Sequence, residues 1–564
     1  MKNEALHEKH EFQNVRALVE WTSDVYGDKL AYSFRVNAHK PEITKKTFTQ
    51  LRDDVRGLAS ELLAMGCAGK HCALIGKFSY DWVVSYFSIL AIGGILVPLD
   101  REWSADDLAD TMQRANASFL FCDEDLAEKA SVIAEKMSLD AAPVFLLAKE
   151  SDRSIATCME AGLAKYKENP DAYHNAEIDN EAMSLLVFTS GTTGKGKGVM
   201  LSQKNVLSDL CAITPYMDFS DKTVGVLPPH HTYGSSVMLI GHAVIGSEIY
   251  ISSGLRYIQK ELKEQHPGHL CLVPLYLETF YRKIQANVKE KGKTKLVANM
   301  IKISNGLRKV GIDVRKKLFA EIRAAFGGEV KMIISGGAPI NPEILSFFEA
   351  IGISTLNGYG ITECAPIIAV NRSRRSVPGS VGPIVDIDTV IIDEPNEDGE
   401  GEILVKGSNV MLGYYNDAEA TKDAMTEDGY FRTGDYGKLE GDVLFITGRK
   451  KNLIILSNGK NVYPEEIENE LIAVPGVLDI IVYEGQSRRG MEHNAIVAEI
   501  FPDKDYVEKN GITDVEAHLK PYIDQYNRNA VSYKKIGVLK VRTEEFPKNT
   551  LRKIMRFKLD MSID

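Results

Sequence analysis

Residues 185–205 read LLVFTSGTTGKGKGVMLSQKN, an apolar run followed by a loop of glycine, serine, threonine and lysine. The run at 185–188 predicts a short buried strand. Glycines let backbone N–H groups approach an anion, while hydroxyl groups and lysines add donors and positive charge. The stretch therefore predicts a phosphate-binding loop. Its candidate residues are Thr189, Ser190, Gly191, Thr192, Thr193, Gly194, Lys195, Gly196, Lys197 and Gly198.

This loop differs at one position from the Walker A loop of P-loop kinases and ATPases. Gly191, Gly196 and Lys197 match the Walker A spacing, but the next residue is Gly198. A Walker A loop has serine or threonine there, whose hydroxyl binds Mg²⁺. The sequence thus argues against a P-loop enzyme. A flexible linker is the other alternative, and two lysines directly after a strand argue against it.

Composition bounds the class of protein. The length of 564 residues predicts about three or four domains, and a hydrophobic content of 44% allows a large core. A net charge of −11 argues against nucleic-acid binding. Seven scattered cysteines without CxxC spacing predict neither a zinc site nor a disulfide framework. The charged N-terminus has no apolar signal region, so we expect a cytoplasmic protein.

Strand-like and helical stretches alternate before the loop. Helical spacing of apolar residues predicts a helix at 48–66, and a second helix begins near Tyr80. Strand-like runs lie at 72–75, 95–97, 119–122 and 144–147. This alternation predicts an α/β fold with a mainly parallel sheet and helical faces. The polar stretch 149–180 is predicted to be an irregular surface segment.

A second group of motifs suits a nucleotide. Residues 357–363 read NGYGITE, in which two glycines flank an aromatic ring and a hydroxyl and a carboxylate follow. Residues 430–435 read YFRTGD, residues 448–452 read GRKKN, and residues 547–554 read PKNTLRKI. With the phosphate loop, these motifs resemble those of the adenylate-forming superfamily, which includes acyl-CoA synthetases, nonribosomal-peptide adenylation domains and luciferases. The resemblance covers nearly the whole chain.

The resemblance implies an ATP site. Asn357 is expected at the adenine amino group, Tyr359 on the adenine ring and Asp435 at the ribose hydroxyls. Thr362 is expected at the α-phosphate and Glu363 at Mg²⁺, which prefers oxygen ligands. The full set implied to bind ATP is Thr189, Ser190, Gly191, Thr192, Thr193, Gly194, Lys197, Gly336, Gly337, Ala338, Asn357, Gly358, Tyr359, Gly360, Thr362, Asp435, Arg449 and Lys553. The implied catalytic residues are Lys553, Thr362, Glu363 and Lys197.

The acid substrate is expected beside residues 230–234, HHTYG. By resemblance, the pocket residues are His231, Tyr233, Gly234, Gly337 and Gly360. No carboxylate lies between residues 227 and 238 to pair with an ammonium group, so we expect an acid without an α-amine. The two adjacent histidines have no third metal ligand nearby in the sequence, which argues against a metal site there.

The resemblance also implies a division of the chain. Residues 1–448 are expected to form a large N-terminal domain of several subdomains, with a hinge at 449–452 that contains Lys451. Residues 453–564 are expected to form a small mobile α/β domain, with strands at 453–456, 478–483 and 495–500 and helices at 464–472 and 515–528. Lys553 matches the catalytic lysine of the family, although Arg552 replaces the usual preceding glycine. Gly459 is expected in the channel for the pantetheine thiol.

A basic helical segment at 281–317 stands apart from these motifs. It contains twelve lysine and arginine residues against Glu290 and Asp313. One interpretation is attraction to an anionic membrane surface or to the phosphates of CoA, and the other is a solvated helical face. This segment, Val273-Pro274 and the motif IISGGAP at 333–339 resemble the bacterial long-chain fatty acid:CoA ligase branch.

The implied function is ATP- and Mg²⁺-dependent activation of a carboxylic acid to an acyl-adenylate, followed by transfer to CoA. A medium- or long-chain fatty acid is the expected substrate. Three alternatives stay open: transfer to the phosphopantetheine arm of an acyl carrier protein, an aryl or other small acid as substrate, and a non-catalytic sensor. Retention of Thr362, Glu363, Asp435, Arg449 and Lys553 argues against the sensor. The sequence does not predict an oligomeric state.

Overall fold

A computed structural model describes residues 4–138, 143–146, 153–189, 196–455, 461–485, 495–548 and 554–562. Within these residues the strands, numbered in chain order, are β1 (Leu30–Phe34), β2 (Thr44–Thr47), β3 (His71–Ile75), β4 (Ile95–Leu99), β5 (Ala117–Asp123), β6 (Val144–Leu146), β7 (Met183–Phe188), β8 (Gly198–Ser202), β9 (Lys222–Gly225), β10 (Glu248–Ile251), β11 (His269–Leu272), β12 (Met332–Ser335), β13 (Ser354–Gly360), β14 (Ile367–Val370), β15 (Gly382–Pro383), β16 (Asp388–Asp393), β17 (Gly401–Gly407), β18 (Gly413–Tyr414), β19 (Phe431–Glu440), β20 (Val443–Arg449), β21 (Ile454–Ile455), β22 (Asn461–Val462), β23 (Val477–Gly485), β24 (Ala495–Pro502) and β25 (Val538–Val541).

The α-helices of the same residues are α1 (Val15–Tyr26), α2 (Phe48–Ala64), α3 (Tyr80–Ala91), α4 (Ala105–Arg114), α5 (Ala127–Met137), α6 (Ile155–Glu168), α7 (Pro170–His174), α8 (Gln203–Ile213), α9 (His242–Ile245), α10 (Ile258–Gln265), α11 (Pro274–Glu290), α12 (Thr294–Lys309), α13 (Arg315–Leu318), α14 (Ala320–Arg323), α15 (Pro342–Ala350), α16 (Ala418–Ala424), α17 (Pro464–Leu471), α18 (Lys504–Lys509) and α19 (Val515–Asn529). A π-helix spans Tyr233–Gly241. Within the described residues, no helix is both long enough and apolar enough to cross a membrane.

The predicted strand at 185–188 forms part of β7, near the middle of a seven-stranded sheet. The strand order is β18-β8-β7-β4-β3-β5-β6, and β3 to β7 run parallel to their neighbours in this set. β8 pairs antiparallel with β7. The phosphate loop therefore joins two antiparallel strands, whereas a Walker A loop leads from a strand into a helix. This connection confirms that the loop is not a Walker A loop.

Three further sheets complete the large N-terminal part. The orders β2-β1-β10-β9 and β11-β12-β13-β14 are parallel except at the edge strands β2 and β14. The order β15-β20-β19-β17-β16 is antiparallel throughout. The predicted α/β fold with mainly parallel sheets is confirmed. The antiparallel sheet was not predicted, although the two-residue connection between β19 and β20 requires antiparallel pairing.

The prediction of an irregular segment at 149–180 is wrong for the part that the structure describes. Residues 155–168 form α6, and Pro170 begins α7. Ile155 and Cys158 are buried at helical spacing. A Cβ at Gly162 would lie 1.9 Å from the carbonyl oxygen of Gly57, so α6 packs directly against the backbone of α2. The polar outer face of α6 obscured this narrow packing face in the sequence.

The C-terminal part has its own sheets and its own apolar core. β21 pairs with β22, and the other sheet has the order β23-β24-β25. Buried side chains of α17, α19 and these strands pack together, including Ile467, Val482 and Leu519. The predicted small α/β part and its two main helices are confirmed. The domain boundary and the hinge at Lys451 stay predictions.

Candidate active site

The phosphate loop closes the hairpin between β7 and β8. The backbone N–H of Thr189 donates to the carbonyl oxygen of Lys197 over 3.0 Å. A Cβ at Gly196 would lie 2.0 Å from the carbonyl oxygen of Thr189, so only glycine fits there. Arg114 donates to the carbonyl oxygen of Gly196 over 2.6 Å. The predicted loop residues that lie outside the described residues are Ser190, Gly191, Thr192, Thr193, Gly194 and Lys195.

Lys197 and Glu363 meet around Tyr414. The Tyr414 hydroxyl donates to Glu363 Oε1 over 3.0 Å, and Lys197 Nζ lies 4.4 Å from the centroid of the Tyr414 ring. The backbone N–H of Met411 donates to the carbonyl oxygen of Glu363 over 2.8 Å. Burial raises the pKa of the Glu363 carboxyl, and hydrogen bonds to it oppose that rise. Two side chains predicted from separate motifs are thus held by one tyrosine that the sequence did not predict.

The environment of Glu363 fits a magnesium ion that also binds ATP. The described residues contain no group of three or more histidine, cysteine, aspartate or glutamate side chains able to hold a metal. Mg²⁺ is commonly bound by one or two carboxylates together with substrate phosphates. Glu363, with Thr362 beside it in a short 3₁₀ helix, supplies one such carboxylate and a neighbouring hydroxyl.

The residues predicted to bind adenine lie at the C-terminal end of β13. Gly358, Tyr359 and Gly360 pair with the antiparallel strand β14, and the carbonyl oxygen of Asn357 accepts the backbone N–H of Asn371 over 3.0 Å. A Cβ at Gly360 would lie 1.9 Å from the carbonyl oxygen of Pro366. Glycine at position 360 therefore permits the tight connection that carries Thr362 and Glu363.

The residues predicted to bind ribose contact a side chain of β13. Asp435 on β19 and Arg449 at the end of β20 are cross-strand partners, and Arg449 Nε lies 3.1 Å from Asp435 Oδ1. The Tyr359 hydroxyl donates to Asp435 Oδ2 over 2.7 Å. The Asp435 charge raises the pKa of Arg449. A carboxylate has about four acceptor positions, so Asp435 retains capacity for two ribose hydroxyls while it accepts from Tyr359 and forms an ion pair with Arg449.

Tyr233, predicted to line the acid pocket, lies beside the residues predicted to bind adenine. It begins the π-helix, and its hydroxyl lies 3.1 Å from the carbonyl oxygen of Ile334 and 3.3 Å from that of Leu272. A Cβ at Gly336 would be 3.7 Å from both the Tyr233 ring and the carbonyl oxygen of Gly358. The predicted adenine and acid residues therefore form adjoining walls.

The glycines of these walls are required by the backbone. Gly337 has φ +88°, a left-handed conformation that favours glycine, and half-buried Ala338 follows it. A Cβ at Gly234 would lie 1.9 Å from the carbonyl oxygen of Pro228. Substitution of Gly234 would therefore displace the start of the π-helix.

A carboxylate from a distant segment lies beside the two histidines. Asp100, which follows β4 and is 2% exposed, has Oδ2 3.5 Å from His230 Nε2. The ring centroids of His230 and His231 are 4.2 Å apart. Burial lowers the pKa of His230, and the Asp100 charge opposes that shift. The segment at residues 227–238 contains no carboxylate, as the sequence showed. The fold nevertheless places the Asp100 carboxylate, from a distant segment, beside His230.

A buried polar network supports the connection that carries Thr362 and Glu363. Ile367 begins β14 opposite Gly360. Its backbone N–H donates to Asp209 Oδ2 over 3.0 Å, and its carbonyl oxygen accepts from Asn409 Nδ2 over 2.9 Å. Asn409 Nδ2 also donates to Asp388 Oδ2 over 3.0 Å. Burial raises the pKa of Asp209 well above its usual value and that of Asp388 to about 7.

Sequence reasoning missed Asp100, Arg114, Asp209, Asn409 and Tyr414. These residues lie outside the recognised motifs. Each is distant in sequence from the site residue that it contacts in the folded protein. The motif residues Gly459 and Lys553 lie outside the described residues, so their positions stay predictions. Lys451 lies in a 3₁₀ helix, Lys450–Asn452, directly after β20.

Comparisons with known proteins identify the family of the chain. A protein-family model described as "AMP-binding enzyme" matches residues 19–415. Long-chain-fatty-acid–[acyl-carrier-protein] ligase AEE15 of Arabidopsis thaliana is 28% identical over 86% of this chain and 76% of its own. Long-chain-fatty-acid–CoA ligase 5 of Rattus norvegicus is 28% identical over 81% of this chain and 71% of its own.

A solved structure shares the fold. ATP-bound MatB from Rhodopseudomonas palustris superposes with a TM-score of 0.74 at 24% identity, and the match covers 96% of this chain and 98% of MatB. The family match covers well over half of the chain, including the phosphate loop, the adenine strand and Glu363. The chain therefore belongs to the AMP-binding enzyme family of adenylate-forming acid ligases.

Proposed function

We propose that the protein activates a medium- or long-chain fatty acid with ATP and then transfers the acyl group to CoA. The observation that carries this proposal is the contact of Tyr359 and Arg449 with Asp435 beside the connection that holds Glu363. The names of the fatty-acid ligases with 28% identity support the substrate class.

In the first half-reaction a carboxylate oxygen of the acid attacks the α-phosphorus of ATP. The bond between this phosphorus and the oxygen that bridges to the β-phosphate breaks, and pyrophosphate leaves. Two anions approach each other, so positioning and positive charge supply most of the catalysis. Lys197 and Lys553 provide cationic groups, and Thr362 provides a hydroxyl. Mg²⁺ held by Glu363 and the phosphates would neutralise further charge.

The nucleotide is positioned by the adenine and ribose residues. We assign Tyr359 to the adenine ring, Asn357 to its amino group and Asp435 to the ribose hydroxyls. Arg449 orients the Asp435 carboxylate by their contact at 3.1 Å. We assign Tyr233, which is fixed by its hydrogen bonds to β11 and β12, to the acid pocket next to the nucleotide.

In the second half-reaction the sulfur of a thiol attacks the acyl carbon of the adenylate. The bond between this carbon and the phosphate oxygen breaks, AMP leaves as the thioester forms, and the thiol proton is released to water. We assign Gly459 to the thiol channel and Lys451 to a hinge that reorients the small C-terminal domain between the two steps. The acceptor proposed is the thiol of CoA.

Transfer to an acyl carrier protein is a second candidate. Similarity to AEE15, which is named as a ligase for an acyl carrier protein, favours it. The two candidates share the first half-reaction and differ in the acceptor thiol. The aryl or small-acid alternative differs only in the substrate acid.

A panel experiment tests all three. Pyrophosphate release from ATP is measured with fatty acids of increasing length and with benzoate, each with CoA, with holo-acyl carrier protein or with apo-carrier protein as the matched control. We expect fatty acids to support release and CoA to sustain turnover to AMP and acyl-CoA. If only the holo-carrier protein sustains turnover, the acceptor is the carrier protein and not CoA. If only benzoate supports pyrophosphate release, the fatty-acid assignment is wrong.

A further inference from the structure

Helix α12 presents an exposed apolar row beside a row of lysines. Leu296, Ile303 and Val310 recur every seven residues and are 53%, 61% and 71% exposed. Seven residues make nearly two helical turns, so the three side chains follow one side of the helix and its C-terminal end for about 21 Å. Together with Lys295, Lys302 and Lys309, we call this the α12 surface.

The side of α12 that faces the protein core lies next to the apolar row and opposite the lysine row. Met300 and Ile301 pack against the apolar cluster that contains Phe347 and Phe348, and Ser304 is fully buried. This packing fixes the rotation of the helix, so the apolar row of the α12 surface is held outward. The exposure is therefore not the result of a loosely attached helix.

The lysines of the α12 surface form the second row. Each precedes one residue of the apolar row, which places the two rows about 100° apart around the helix. None of Lys295, Lys302 and Lys309 has an ion-pair partner among the described residues, whereas nearby Lys291 and Lys293 both pair with Glu321. The unpaired cations are available to an external anion.

Charge decides what fits this surface. The whole chain carries a net charge of −11, yet residues 289–317 contain ten lysine and arginine residues and only Glu290 and Asp313 as acids. A second copy that presented the same surface would bring like charges together. A lysine row beside an exposed aliphatic row is the pattern of a helix that lies at the interface of an anionic bilayer.

We propose that the α12 surface docks the protein onto anionic lipid bilayers. The apolar row enters the boundary between headgroups and acyl chains, and the lysines contact the lipid phosphates. This surface lies outside the residues assigned to ATP and to the acid, and the proposal is independent of the substrate assignment.

The test is cosedimentation of the full chain with vesicles, without ATP or acid. One set of vesicles contains phosphatidylcholine and phosphatidylglycerol, and the other contains phosphatidylcholine alone. We expect wild-type protein to bind the anionic vesicles and to lose binding at high salt, because the electrostatic attraction is screened. Equal binding to both sets, or no binding to the anionic set, would overturn the proposal.

Two variants measure the separate contributions of the lysine row and the apolar row to vesicle binding. Replacement of all three lysines by glutamine should lower the partition coefficient about 100-fold, at roughly fivefold per lysine. The double variant L296Q/I303Q should lower it at least about tenfold. The matched control V36Q/L255Q replaces aliphatic side chains that are 75% and 67% exposed elsewhere, and it should bind like the wild type.

The same variants test whether the α12 surface instead binds a second copy of the chain or an acyl carrier protein. Thermal unfolding should be unchanged in all of them, because the replaced side chains are exposed. If L296Q/I303Q retains vesicle binding but abolishes self-association measured by light scattering, the surface is a contact between copies. If it retains vesicle binding but loses holo-carrier protein binding, the surface belongs to the carrier. Either result contradicts the membrane assignment.

Discussion

Asp435 accepts from Tyr359 and contacts Arg449, and this concentration of contacts gives a direct test of the ribose assignment. Asp435→Ala should raise the KM for ATP roughly 10- to 100-fold, since hydrogen bonds to a charged group contribute about 1.5–3 kcal/mol. Tyr359→Phe keeps the ring and the carboxylate, so its effect should be smaller. An unchanged KM for ATP in the alanine variant would contradict the assignment.

Asp209 is a positioning residue for the connection that carries Thr362 and Glu363. Asp209→Leu removes the acceptor of the Ile367 N–H, and an unsatisfied buried donor costs about 1–3 kcal/mol. We expect slower adenylate formation and a lower Tm. Asp209→Asn keeps an acceptor oxygen in a neutral side chain and should restore most of both. Equal rates of adenylate formation in the two variants would show that Asp209 does not position the site.

The residues assigned to the nucleotide were chosen because they lie in short local motifs. Asn357, Tyr359 and Glu363 fall within seven consecutive residues, and Asp435 and Arg449 lie on neighbouring strands of one sheet. Tyr414, Asp209 and Asp100 could not be predicted. Their contacts depend on how remote segments meet, and tyrosine or aspartate in an ordinary stretch carries no local signal of such a contact.

At the scale of elements, the connection between β13 and β14 depends on Gly360. Gly360→Ala would place a Cβ 1.9 Å from the carbonyl oxygen of Pro366, so the strands must separate. We expect adenylate formation to fall at least about 100-fold, with a lower Tm. The matched control is Gly306→Ala in α12, where a Cβ meets no atom within 4 Å.

The control should retain full adenylation activity and gain about 0.5–1 kcal/mol of stability, because alanine favours a helix interior. Rates of adenylate formation and thermal unfolding of both variants provide the measurement. If Gly360→Ala forms adenylate at the rate of Gly306→Ala, the connection is not as constrained as its geometry indicates.

Elements were predictable where apolar periodicity was strong. The helix expected at 48–66 is α2, and the strand expected at 72–75 is part of β3. The segment containing α6 was misjudged because its buried face is narrow and includes Gly162, whose role is close backbone packing. Glycine contributes nothing to an apolar pattern, so the pattern alone predicts a loop.

At the scale of the whole molecule, we propose that the small C-terminal domain supplies different groups to the two half-reactions. Lys553→Ala should nearly abolish adenylate formation, because the lysine charge is assigned to the first step only. Thioester formation from a supplied acyl-adenylate should be preserved. The measurement is a separate assay of each half-reaction.

Lys548 offers a matched control in the same segment. Its ammonium lies 2.6 Å from Asp479, so its charge is engaged within the C-terminal part. Lys548→Ala should retain adenylate formation close to the wild-type rate. Equal loss of both half-reactions in Lys553→Ala would contradict the assigned role.

The overall arrangement of an α/β N-terminal part followed by a smaller α/β part was predictable from the order of the motifs. Which strands pair within each sheet was not predictable, since one sheet contains strands as distant in sequence as β3 and β18. Such pairing is set by long-range packing, which a linear pattern of apolar residues does not specify.

The most direct test of the central claim is acid-dependent exchange of labelled pyrophosphate into ATP without any thiol. We predict exchange with a fatty acid and Mg²⁺, together with an acyl-adenylate of the expected mass. The reverse reaction of pyrophosphate with a bound acyl-adenylate produces that exchange. Absence of exchange with every carboxylic acid, or release of ADP and phosphate instead of AMP and pyrophosphate, would contradict the account.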